Sequence, residues 1–420
     1  MNGSIGRRAV TLAGALVASA VAACSAESPE RLDDHSSDLA SVMRAYVDDP
    51  AVGRRALEES LVRHDNTYAV LRLSRYAEDR WGSLPEADFP SIPMAAGPDG
   101  APLPPPALDD PRWKTTLAAG GGTSGTSVTS IEELRALGER AFFTYPVQPT
   151  DTMAAAIATP DHAGVWQHEG RFAPVWASLP RGLVRAAFTC ATCHASKLGD
   201  RLIPGRNNPD LDVARLYDNG ASEVSAAGTP SWGRGRVDVT PDDMDNPVAI
   251  SDLRPIRYQQ HIHHAGTLKN DPVALAVRIE TLIITSQSQA VRPPRKIAAA
   301  LAVYLLSLAP TSPLPTGEGA AVFGRECGGC HAGEAASGPP VSLALIGTDP
   351  KVGASTERGT GFYRVPSLRA VGDRRRLLAS GDVDDIEALL SPDRTAAGHR
   401  YGMALGPQDR EALLVYLRGL

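Results

Sequence analysis

Apolar residues in "LASVMRAYV", "GRRALEESLVRH" and "YAVLRLSRYAEDRW" recur at three- and four-residue spacing, which predicts helices from Asp38 to about Trp81. The period then stops. "LPEADFPSIPMAAGPDGAPLPPPALDDP" and "AAGGGTSGTSVTS" are rich in Pro, Gly and small polar residues, the composition of a linker or surface wrap. Periodicity resumes at "SIEELRALGERAFF", where Ser130 stands three residues ahead of Glu133, a capping-box signature. Two later segments, "IAAALAVYLLSLAP" and "REALLVYLRGL", carry apolar side chains at i, i+4 and i+7. Each predicts an amphipathic helix, the last one entered through Pro407 at its first position.

These segments recur in one order. "CATCH", "DLRPIRYQQHIHHAGTL" and "IAAALAVYLLSLAP" are followed downstream by "CGGCH", "SLRAVGDRRRLLASGDV" and "REALLVYLRGL". Leu253, Arg254 and Gly266 align with Leu368, Arg369 and Gly381 at one constant offset, and Leu301, Tyr304, Leu305 and Leu308 align with Leu413, Tyr416, Leu417 and Leu420. Three features in the same order favour an internal duplication from Ile131 onward.

A chain of 420 residues is long for one compact domain. A net charge of −6 argues against nucleic acid as partner, because phosphate binding needs concentrated positive charge. Aromatic residues make up only 5%, so part of the core has room to come from something other than side chains. The N-terminus, "MNGSIGRRAVTLAGALVASAVAAC", has Arg7 and Arg8, an apolar run and small residues before Cys24, and reads as a signal peptide. Val21-Ala22-Ala23-Cys24 resembles a lipobox, in which the cysteine is lipidated; ordinary cleavage near Ala23 is the alternative. Lipidation uses the fifth cysteine and leaves no unpaired thiol in an oxidising compartment. The expected location is the periplasmic face of a bacterial membrane.

The other four cysteines stand as two C-x-x-C-H motifs, Cys190, Cys193 and His194, and Cys327, Cys330 and His331. This is the attachment sequence of a c-type haem. Cysteines three apart on a helical turn reach the two vinyl groups, and the next histidine points at the iron. A four-cysteine zinc site, a redox-active C-x-x-C and tight disulfides compete for the same residues. The repetition of the whole pentapeptide, histidine included, within an exported duplicated chain favours two covalent haems.

"LRALGERAFFTYPVQ" is similar to the opening of bacterial di-haem cytochrome c peroxidases and MauG-like proteins, and "GFYRVPSLRAVGDRRRLLASGDVDDIEALL" resembles a segment of the same superfamily. The resemblance covers about residues 131–420. It implies two cytochrome c-like helical domains facing each other, the first haem meeting an oxidant and the second passing electrons. In this sequence His264 occupies the place of a family tryptophan between the haems, and Ala379 stands where the second copy usually has histidine. The candidates for the far side of the first iron are His261, His263, His264 and Glu280. For the second they are His399 and Met403, just before the last helix, where the family supplies a sixth ligand. Arg254 and Arg369 are candidate propionate partners. "PSWGRGRVDVTPDDMDNPV" is a possible calcium wrap that lacks EF-hand spacing.

The expectation is a mainly α protein: a signal peptide over 1–23, a helical extension and Pro/Gly-rich linker over 24–130, and two cytochrome c-like haem domains over 131–312 and 313–420. The expected function is electron transfer to or from a redox partner protein. The alternative is a peroxidase reducing hydrogen peroxide, or a MauG-like oxidase acting on a protein.

Overall fold

The first periodic segment folds as α1 (Ser36–Asp48), α2 (Pro50–Ser60) and α3 (Thr67–Ala77). Asp49 and Asn66 cap the second and third by accepting from the backbone amides of Ala51 and Ala69. Leu39, Met43 and Tyr46, one stripe of α1, are buried. The computed structural model describes residues 36–120, 130–216, 223–224, 230–239 and 245–420. Cys24 and the expected signal peptide lie outside them. Among the described residues no helix is long and apolar enough to cross a membrane.

The expectation of mainly helical, cytochrome c-like domains is wrong. Helix accounts for 36% and strand for 18%, with several antiparallel sheets. The largest sheet has five strands: β1 (Ser91–Ala95), β2 (Gln148–Thr150), β3 (Gln167–His168), β4 (Arg171–Leu179) and β5 (Leu183–Phe188). Its order is β1-β4-β5-β2, with β3 also on β4, and its pairs are antiparallel. The stretch expected as linker therefore supplies an edge strand, where Pro93 is tolerated because an edge amide needs no partner. The central strands hide from period-2 analysis because both faces are covered. Trp176, Ala186 and Phe188 join the main core, while Val175, Ala177 and Ala187 form a small cluster of their own. A strand buried on both sides reads as a continuous apolar run rather than an alternation.

The helices after α3 are α4 (Ile131–Thr144), α5 (Met153–Ile157), α6 (Cys190–His194), α7 (Val213–Leu216), α8 (Pro272–Ser286), α9 (Arg295–Ser307), α10 (Glu318–Glu326), α11 (Leu343–Ile346), α12 (Ile386–Leu389) and α13 (Pro407–Arg418). Ser130 Oγ accepts from Glu133 N at the start of α4, and Pro407 opens α13. One core runs from Leu39 to Leu306, and a second from Val322 to Leu420.

Duplication is visible in two helix crossings. Gly138 of α4 sits so close to α9 that a Cβ would lie 2.0 Å from Ala300 O and 2.7 Å from Tyr304 Cβ. Gly319 of α10 meets α13 in the same way, 2.2 Å from Ala412 O and 2.7 Å from Tyr416 Cβ. One turn on, Phe142 packs on Tyr304 with centroids 5.4 Å apart, and Phe323 packs on Tyr416 at 4.9 Å. The sequence repeat of Tyr304 and Tyr416 is thus a repeat of contacts.

Polar bonds join the two halves. Arg254 bridges Asp252 and Asp373, each at 2.6 Å, and Arg206 donates to Asp373 O at 2.8 Å. Ala249 N donates to Ala379 O, and Arg364 N to His264 O. The N-terminal helices reach the second half as well, through Thr67 N to Thr356 O and Tyr68 N to Glu357 O.

Candidate cofactor sites

The first C-x-x-C-H motif is the whole of α6, which begins directly after β5. Thr189 N donates to Thr192 Oγ1, fixing the start of the turn, and Trp166 Nε1 donates to Ala191 O at 2.9 Å. His194 Nδ1 lies 2.9 Å from Ser251 O. A carbonyl can only accept, so the Nδ1 proton is donated there and the lone pair stays on Nε2, the tautomer a metal-ligating histidine needs. Burial pushes Cys190 and Cys193 up to about 12 and lowers the His194 pKa. The thiols are therefore neutral, unlike those of a reactive C-x-x-C, whose thiolate is favoured.

The second motif follows α10. Cys327 N donates to Phe323 O and His331 N to Cys327 O, so the helical turn continues through the motif. His331 Nδ1 lies 3.2 Å from Ala336 O, which again leaves Nε2 free, and burial holds its pKa down to about 4. Cys327 is pushed up to about 11, mainly by burial. All four described cysteines are unbridged, and among the described residues no three His, Cys, Asp or Glu come together as a metal cluster. That geometry sets aside the four-cysteine zinc site. It has no bearing on an iron held within a porphyrin, which asks the protein for only one or two ligands.

Beside the second motif lies a cavity with ≈ 1540 Å³ of empty space, part of it open to solvent. Cys327, Cys330 and His331 line one side, and His399 and Tyr401 line it as well. Much of the remainder is apolar, including Val341, Ile346, Val365, Val371 and Leu390. The His331 and His399 ring centroids stand 6.5 Å apart. Their planes are inclined at 62°, an edge contact. An apolar lining with two imidazoles and two thiols would suit a covalently attached macrocycle, with His331 and His399 the residues to hold its iron. Met403 does not line this cavity; its sulfur accepts from Arg394 Nη2 at 3.0 Å.

His264 lies between the two motifs. Its Nε2 is 2.9 Å from Ala249 O and 3.3 Å from Ser251 Oγ, while Ser251 O receives the bond from His194. It also borders the second cavity, and burial lowers its pKa to about 4. Glu280 lies elsewhere: it accepts from Tyr46 at 2.7 Å and pins α1 to α8. Arg254 is held by its two aspartates and Arg369 by the carbonyls of Pro310 and Ser312, so both candidate propionate partners already have protein acceptors.

Around the first motif, Cys190, Cys193, His194, His263, Arg278 and Arg358 each keep some free surface although protein encloses them. Sequence reasoning had named His263 but missed Tyr68, Arg72, Arg278 and Arg358. The four come from the N-terminal helices, α8 and a late loop, and no local pattern connects them. Of the calcium loop, residues 240–244 lie outside the described set. Asp245 and Asn246 border a small polar pocket with Asp349, Asp382, Lys351 and Arg236, a mixture of charges.

No family model matches this sequence, and no curated protein matches it. Two solved structures are similar at a low level. A hydrazine synthase of Kuenenia stuttgartiensis shares 15% identity at TM-score 0.37, over 78% of this chain and 98% of that one. A MauG-like protein associated with microbial copper homeostasis shares 13% at TM-score 0.37, over 78% of this chain and 92% of that one. A likeness this slight carries nothing about the chemistry of this chain.

Proposed function

We propose that this chain is an exported di-haem protein that transfers electrons, with haem c bonded at Cys190 and Cys193 and at Cys327 and Cys330. The observation that supports it is the shared arrangement of the two motif histidines. Each donates Nδ1–H to a backbone carbonyl and keeps Nε2 for iron. When bound, the haems supply one-electron redox chemistry near neutral pH.

The chain's own part is to hold and insulate them. His331 and His399 both border the cavity beside the second motif and would be the residues to hold iron there, which would suit that centre to a carrier role. Ser251 links the sites, accepting from His194 through its carbonyl and lying beside His264 and Arg364 through its hydroxyl. The partner is a redox protein at the periplasmic face of a membrane, where lipidation at Cys24 would hold this one.

The deciding experiment is a mass measurement of denatured mature protein together with electron paramagnetic resonance of the oxidised form. Two covalent porphyrin adducts, and a low-spin signal for the second centre, are expected. Colourless protein without adducts would end this reading. Rapid peroxide turnover with a reduced donor would replace the carrier with the enzyme.

A further inference from the structure

The enclosed region beside the first motif holds more positive charge and more idle donors than haem attachment requires. Tyr68 and Arg72, one turn apart on α3, meet Arg278 of α8, His263, and Arg358 from the loop after α11. The Arg72 guanidinium carbon lies 3.5 Å from the centre of the Tyr68 ring, and that of Arg358 lies 5.2 Å from it. His263 stands edge-on to the same ring at 5.2 Å. Arg278 Nε donates to His263 Nε2, which leaves the imidazole proton on Nδ1.

Among the described residues, His263 Nδ1, Arg278 Nη1 and Arg358 Nε are buried with no hydrogen-bond partner, and the Tyr68 hydroxyl has Thr281 beside it. Buried polar groups are normally bonded, and guanidinium cannot shed its charge to escape the cost. The carboxylate of Glu357 acts on Arg72 and Arg358. Among the described residues, one carboxylate against three guanidinia leaves an excess of positive charge. Burial and mutual repulsion accordingly push Arg358 down to about 9 and His263 well below its ordinary value. An acceptor carrying negative charge would offset that excess and offer bonds to donors that lack them.

We propose that Tyr68, Arg72, His263, Arg278 and Arg358 form an enclosed oxyanion site beside the first motif, closed on one side by the N-terminal helix α3. Its ligand is a carboxylate or a phosphate-sized oxyanion. Two sources share that chemistry: the propionates of a haem bonded at Cys190 and Cys193, which rests on the function proposed above, or a free inorganic oxyanion, which does not. Either way residues 36–120 help to build a binding site.

The test uses the full-length mature protein, with haem content fixed beforehand by mass. Inorganic phosphate is titrated calorimetrically at constant ionic strength into the wild type, Arg278→Gln and Arg278→Lys. The midpoint potentials of both haems are measured in the same three proteins. A free-oxyanion site predicts phosphate binding by the wild type, about tenfold weaker in Arg278→Gln and partly restored in Arg278→Lys. A propionate site predicts no phosphate binding. It predicts instead a lower potential for the first haem alone in Arg278→Gln, since removing a nearby positive charge favours ferric iron, and restoration in Arg278→Lys. Should Arg278→Gln fail to fold, Arg358→Gln replaces it, with Arg358→Lys as its partner. Absence of phosphate binding together with unchanged potentials overturns the proposal. If the mass shows no adduct at Cys190 and Cys193, phosphate binding alone decides it.

Discussion

The two C-x-x-C-H sites are alike below and unlike above. Each begins on a helical turn, and each histidine is oriented by a backbone carbonyl, Ser251 O in one and Ala336 O in the other. Opposite His331 stands His399 in a largely apolar cavity. Around the first motif the enclosed residues include Arg278, Arg358 and His263, with Tyr68 and Arg72 behind them. The two motifs share the hydrogen bond that orients their histidines and differ in what surrounds them. Surroundings set potential and access, so the difference teaches that two haems bound as proposed would have separate tasks.

The strongest way to break this comparison is to remove one grip. Replacing both Cys327 and Cys330 by Ala should abolish one porphyrin adduct by mass and leave the other intact. Losing both adducts would show that the sites depend on each other. Next, His399→Gly should convert the second centre from low to high spin by electron paramagnetic resonance while the first is unchanged. Glycine suits this position because His399 has φ 43, a conformation that most side chains resist. Met403→Leu should leave the spin state as it was.

The helix crossings give the third test. Gly319→Ala sets a Cβ against Ala412 O, and by overpacking should cost about 1–3 kcal/mol in chemical denaturation. Gly138→Ala should cost a comparable amount. The last test concerns pH. The folded pKa of His264, near 4, is below its unfolded value of about 6.5, so its contribution to stability is full above that value and is lost as pH falls toward 4. The slope is at most about 1.4 kcal/mol per pH unit. His264→Gln should flatten the stability curve between pH 6.5 and 4, read by urea denaturation at successive pH values.

What the sequence made legible follows from range. The helices α1–α4, α9 and α13 announce themselves by local period and caps, and Ser130 and Pro407 sit where those signals put them. The pentapeptides carry their own spacing, so the lower half of each site could be read. The sheet could not. β1 contains Pro93 within a Pro-rich stretch, and β4 is a continuous apolar run covered on both faces, so neither shows alternation. His399 and Met403 could both be named, and what distinguishes them, His399 on the cavity wall and Met403 bonded by Arg394, is tertiary. The cluster at Tyr68 was invisible for another reason. Its members are brought together from both ends of the chain by tertiary contacts that no window of sequence spans.

The backbone bonds from Thr67 and Tyr68 to Thr356 and Glu357 carry a consequence for assembly. Residues made early must wait for partners made almost three hundred positions later, so α3 cannot finish docking until most of the polypeptide has emerged. Closing so long a loop is entropically slow, and until it happens α3 lacks these two backbone bonds. Completion of the molecule is thus set by the arrival of its last third.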